Sequence, residues 1–176
     1  MGLEPTWPTR MGADPDAVGA WLSRSPELAA FERGHLSTER FYAALGGAFG
    51  ASPSVARQAF CAWVTGPLPG AAELLDALTL PAFALSNTNV DHWAVFDPTR
   101  VLRSRLTALP SHHLGARKPE TAAFQRATDA IGTADVLFLD DSQANVEAAR
   151  AFGWRAERVV GVAECQAVLR EAGALG

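Results

Sequence analysis

Between Asp14 and Val64 the apolar residues recur every three or four positions and never settle into strict alternation. Phe41, Leu45 and Phe49 fall four apart, and a small oxygen-bearing residue precedes each such run: Asp14 with Pro15 behind it, Ser37 or Thr38, and Ser52 with Pro53. A side-chain oxygen at that place accepts from the orphan N–H groups of a first turn, and proline suits the first helical position. The pattern therefore predicts a helical unit over residues 14–66 with no strand in it. Residues 1–13, with Pro5 and Pro8, read as irregular.

Beyond the "TGPLPG" turn the pattern changes. "GAAELLDAL" has helical spacing, "AFALSN" is a short apolar run, and "PETAAFQRATDAI" is a helix opened by Pro119. "DVLFLDD" is a second apolar run, "SQANVEAARAFG" a helix closed by Gly153, "AERVVGV" a third run, and "AECQAVLREAG" a last helix. Short apolar runs alternating with helices predict an α/β unit over residues 67–176, a parallel sheet with helices on both faces. Ligands of such sheets bind beyond the carboxyl ends of the strands, so the polar residues there matter most.

Composition narrows the class without choosing the chemistry. At 176 residues, 48% hydrophobic and net charge −4, the chain has the make-up of a cytoplasmic globular protein. No run of Lys or Arg offers a nucleic-acid footprint, and no apolar stretch approaches a membrane span or a signal-peptide core. Cys61 and Cys165 lie on apolar helical patterns and read as small buried hydrophobes. Lys118 is the one lysine among fifteen basic residues, so arginine fills every other cationic position. An ammonium is compact where a guanidinium is planar, and a site that needs a point charge selects lysine.

Three strand or loop ends carry polar groups in a notable order. Ser86 and Asn87 end the first run, Lys118 precedes a helix, and Asp140 and Asp141 end the second run. Hydroxyl, amide and ammonium suit an anionic oxygen, and paired carboxylates suit magnesium, which takes one or two of them together with waters and phosphate oxygens. Singly, each has a plainer reading: a turn serine, a solvated lysine, an N-cap for the following helix. Together they describe a magnesium-assisted phosphate site.

"LSNTNVDHW", "GARKPETAAF" and "LFLDDSQANVEAARAFGW" resemble motifs two, three and four of the haloacid dehalogenase-like hydrolases, nearest the alpha-D-glucose-1-phosphate phosphatase-like branch. "AFERGHLSTERFYAAL" resembles that branch's helical cap. The resemblance implies a Rossmann-like core with a small cap and a phosphomonoesterase acting on a small phosphorylated metabolite such as a sugar phosphate. It further implies that Ser86 and Asn87 hold the phosphoryl group and that Lys118 steadies phosphate and nucleophile. Asp141 is then a ligand of Mg2+, Asp140 a neighbouring ligand or supporting acid, and Asn145 a residue that orients the acidic loop.

The family's first motif, an apolar strand ending in an Asp-x-Asp whose first acid attacks phosphorus, has no match here. Asp14-Pro15-Asp16 follows a segment holding Pro8 and Arg10 and reads as a helix cap. In the family that strand lies between the ones matching Ser86 and Asp140, so its loss leaves two open edges. Another segment or a second copy fills the gap, the neighbours pair directly, or the polypeptide starts upstream, "MGLEPTWPTR" being the motif's tail. The chain as it stands is expected to be nearly inactive. The alternative is a non-catalytic phosphate- or metal-binding protein. A receiver domain fits less well, since its acid pair comes first and here a helical segment precedes the first strand. His92 and Trp93 can touch substrate or simply pack, and His112 and His113, adjacent on an extended segment, point apart and make a poor metal pair.

Overall fold

The computed structural model of the chain describes residues 2–96 and 106–176, so the α/β unit's residues 97–105 lie outside it. Helix starts fall where the capping oxygens stand. Asp14 accepts the Ala17 N–H at 2.9 Å and opens α1 (Pro15–Arg24). Ser25 caps α2 (Pro26–Glu32), Ser37 rather than Thr38 caps α3 (Thr38–Phe49), and Ser52 caps α4 (Pro53–Cys61). These four helices enclose an aromatic core in which Phe31, Phe41, Tyr42 and Phe60 are at most 2% exposed. Phe31 stacks on Phe41 with centroids 4.5 Å apart, and Phe41 meets Phe60 edge-on at 5.1 Å.

Residues read as irregular take part in this core. Trp7 and Met11 enter it from a 3-10 helix, Trp7–Met11. Beside it, β1 (Gly2–Leu3) pairs antiparallel with β2 (Val64–Gly66). Strands of two and three residues are too short to show a period of two, which is why the hydrophobic pattern missed them.

The second half runs α5 (Ala71–Asp76), β3 (Ala82–Ser86), α6 (Val90–Val95), β4 (Leu106–Pro110), α7 (Ser111–Leu114) and α8 (Thr121–Ile131). It closes with β5 (Leu137–Asp140), α9 (Gln143–Phe152), β6 (Arg155–Arg158) and α10 (Gly161–Glu171). Sequence patterning did not foresee β4, a five-residue strand ending in a proline. Pro110 lacks an N–H and sits opposite Ser86 at the strand's last position, a place where proline is tolerated. β6 starts and ends earlier than the Val159-Val160 run predicts, because Gly161, at φ +78°, turns the chain into α10.

β3 pairs in parallel with β4, and β5 in parallel with β6. The expected continuous sheet is therefore, among the described residues, two separate parallel pairs, with no ladder between β3 and β5. Direct pairing of those neighbours is thus ruled out as the way the sheet closes. All five residues of β3 are half-buried, and α5 and α10 have no buried residue. Strands of a sheet covered on both faces are buried throughout, so this half is thinly covered along β3. Its packed centre is Phe124, Phe138, Val146 and Trp154. No helix among the described residues is long and apolar enough to cross a membrane.

Candidate functional site

Lys118 occupies the turn between α7 and α8, with its side chain only 9% exposed. Its Nζ donates to the Leu85 carbonyl of β3 at 2.6 Å and to Asp140 Oδ2, at the end of β5, at 2.6 Å. One ammonium thus bridges the carboxyl ends of two strand pairs that no ladder joins. The lysine backbone is fixed as well. Its N–H donates to Asn87 Oδ1 at 2.8 Å, and its carbonyl accepts from Asn87 Nδ2 at 2.8 Å.

Asp140 is buried, and its second oxygen is also engaged. Oδ1 accepts the Ser142 N–H at 2.9 Å and Asn145 Nδ2 at 2.9 Å. Burial by itself pushes the Asp140 carboxyl up, but the Lys118 ammonium and the bonds from Asn145 and Ser142 outweigh it and hold the group below the usual carboxylate range. Asp141, one residue on, is exposed, and its carbonyl accepts from Arg158 Nε at 2.9 Å. Ser86 is half-buried as the last residue of β3, between Leu85 and Asn87, which both touch Lys118. The geometry therefore gathers Asn87, Lys118, Asp140 and Asn145 by direct hydrogen bonds, with Ser86 and Asp141 adjacent in the chain.

Three sequence expectations need correction. The helix after Lys118 begins at Thr121 with Glu120 as its N-cap, so Pro119, joined to Lys118 by a cis peptide bond, lies outside it. Lys118 consequently does not stand at a helix N-terminus, and hydrogen bonds fix its place. His112 and His113 lie on the short helix α7, not on an extended segment, and their rings approach to 4.3 Å. Cys61 and Cys165 are free and half-buried rather than fully enclosed.

His92 packs in the interior. Its ring lies 4.2 Å from that of Phe60, and its Nε2 lies 2.8 Å from the Phe60 carbonyl. Asp14, of the Asp-Pro-Asp sequence, is a helix cap. Sequence reading missed the Leu85 carbonyl, since a backbone acceptor leaves no composition signal. It also missed the acidic and basic partners of Arg117 and Glu120, whose contacts lie far away in the chain.

No group of three or more His, Cys, Asp or Glu side chains among the described residues forms a metal cage. The donor set is the exposed carboxylate of Asp141 and the oxygen of Asp140 that Lys118 leaves with one free lone pair. Magnesium usually accepts one or two carboxylates and completes its octahedron with water and phosphate oxygens. These residues fit that manner of binding and not an all-protein cage.

The arrangement of helices and parallel strand pairs matches the fold of solved HAD-like structures. The chain is similar to a HAD family enzyme of Bacteroides thetaiotaomicron in complex with magnesium and inorganic phosphate, at TM-score 0.75 and 18% identity over 90% of this chain and 88% of that one. It is also similar to a predicted HAD-like family hydrolase of Porphyromonas gingivalis, at TM-score 0.73 and 20% identity over 98% and 92% of the two chains. L-2-haloacid dehalogenase of Xanthobacter autotrophicus aligns at TM-score 0.64 and 17% identity over 98% and 79%. No family model matches the sequence. Among curated proteins, drimenol cyclase drtB of Aspergillus calidoustus is 34% identical over 83 residues, which are 46% of this chain and 14% of that protein.

Proposed function

We propose that the polar cluster around Lys118 is the phosphate and magnesium half of a phosphomonoesterase site for a small phosphorylated metabolite. The observation that carries this reading is the double contact of the Lys118 ammonium with Leu85 and Asp140, which leaves its third proton for an anionic oxygen. In this reading Ser86 and the Asn87 amide hold the other phosphoryl oxygens. Asn145 and the Ser142 N–H keep Asp140 ionised and oriented. Asp141 and Asp140 would hold the cation, which when bound would neutralise charge on the phosphate. Residues 14–66 would act as the cap that shapes specificity.

The chemistry also needs an attacking carboxylate. Among the described residues the only ion pair of Lys118 is with Asp140, and Asp91, the nearest acid after Asn87 in the chain, is committed to Arg57 at 2.8 Å. Little turnover is therefore expected of this chain unless a further acid is supplied. This observation also favours a second reading, a protein that binds phosphate without hydrolysing it. Titration calorimetry with inorganic phosphate and Mg2+ tests the shared premise. Binding that requires Mg2+ and disappears in Lys118→Met supports it, and no binding by the wild-type chain sinks it. Hydrolysis of a generic phosphate monoester, by this chain and by one extended upstream, then separates enzyme from binder.

A further inference from the structure

Two crossed ion pairs tie α2 to the residues flanking Lys118. Glu32 Oε2 lies 2.7 Å from Arg117 Nε, a charge contact without an aligned hydrogen bond. The next residue, Arg33, grips Glu120: its Nε donates to the two carboxylate oxygens at 3.0 and 3.1 Å, and a second guanidinium nitrogen reaches the same carboxylate. Glu120 Oε2 accepts the Arg117 N–H at 3.4 Å, which closes the four charges into one network. None is a free surface pair, for the side chains are 13% exposed at Glu32, 29% at Arg117, 30% at Arg33 and 33% at Glu120.

The backbone supports the same junction. Gly34 follows at φ +70°, and a Cβ there would stand 2.6 Å from the His112 carbonyl oxygen. The end of α2 therefore abuts the backbone after β4 with no room for a side chain. A pair that only added stability would serve anywhere on the interface, and partly exposed pairs contribute little. These two converge on Arg117 and Glu120, with only Lys118 and Pro119 between them.

We propose that Glu32 and Arg33 are positioning residues, which fix the 117–120 turn so that the Lys118 ammonium reaches Leu85 and Asp140 at once. The inference rests on reading Lys118 as the cation that meets phosphate. Both of its contacts are 2.6 Å long, so a shift of the turn by about 1 Å breaks them, and misplacement on that scale costs a site up to about a hundredfold. The helical unit, in this view, braces the cation in place.

Lys118 is the sole lysine, so its ammonium gives the one side-chain NH3+ signal in a 1H–15N spectrum. Burial and its two acceptors should make that signal visible in the wild-type chain. In the Glu32→Ala, Arg33→Ala double variant it should broaden away, and Mg2+-dependent affinity for inorganic phosphate should fall about tenfold. Arg33→Glu combined with Glu120→Arg should bring the signal back. Glu32→Gln keeps shape and removes charge, so it serves if the double variant does not fold, with partial loss expected. An unchanged ammonium signal in these variants overturns the proposal. A wild-type chain that shows the signal yet binds no phosphate overturns the phosphatase reading and leaves the positioning role to be decided by the spectra alone.

Discussion

The helical half of the molecule is closed and the α/β half is open. Val18, Phe41, Leu45 and Phe60 are fully buried among α1–α4, whereas every residue of β3, a strand in an α/β layer, remains half-buried. The two halves draw their order from different sources. Aromatic packing suffices for the first, while the second relies on a polar cross-brace, Lys118, where a ladder between β3 and β5 is missing among the described residues.

Core truncations test this contrast most sharply. Phe41→Ala should cost about 3–5 kcal/mol in urea unfolding, whereas Phe83→Ala on β3 should cost less, about 1.5–3 kcal/mol, since that ring is only partly buried. Equal losses would mean that the halves are equally packed. Next in size, Lys118→Met leaves the buried Asp140 carboxylate unpaired and should cost about 3 kcal/mol, with Asp140→Leu in the same chain recovering most of it. If the double variant is no better than the single, the brace is not electrostatic. Gly34→Ala, at the seam between the halves, should cost roughly 1–3 kcal/mol and raise amide exchange in α7 more than in α3.

The smallest effect is one of pH. Burial lowers His92 against the opposing influence of the Phe60 carbonyl and Asp91, and burial followed by the neighbouring His113 lowers His112. The unfolded chain then takes up protons first, so these histidines contribute fully above about pH 6.5, and their contribution declines as the pH drops toward their folded values. His92→Gln should flatten that slope more than His112→Gln, because His92 is the more deeply buried. Asp140 adds a separate loss: its folded value is depressed, so its contribution holds above about pH 3.9 and fades as acidity increases further.

Much of this was legible in the sequence, for specific reasons. Helix starts were readable because Asp14, Ser37 and Ser52 act through bonds of three residues' reach. β3 and β5 were readable as apolar runs, and the meeting of Asn87, Lys118 and Asp140 followed from the convergence of strand ends. What escaped was short or remote. β1 and β2 carry too few residues for a period, β4 ends in Pro110, a residue that argues against a strand, and the start of α8 was placed too early because Pro119 mimics a first-turn proline. The bonds of Arg33 and Glu32 span more than eighty positions, a distance at which no local pattern speaks.

That a lone ε-amine sits at the junction of both strand pairs gives the protein an internal chemical reporter. Amine-acylating reagents find only the chain terminus and Lys118, and with 8% of that residue exposed the second reaction waits on opening of the brace. The rate at which one acyl group appears on Lys118 in an intact-mass spectrum therefore clocks how often the two strand pairs part.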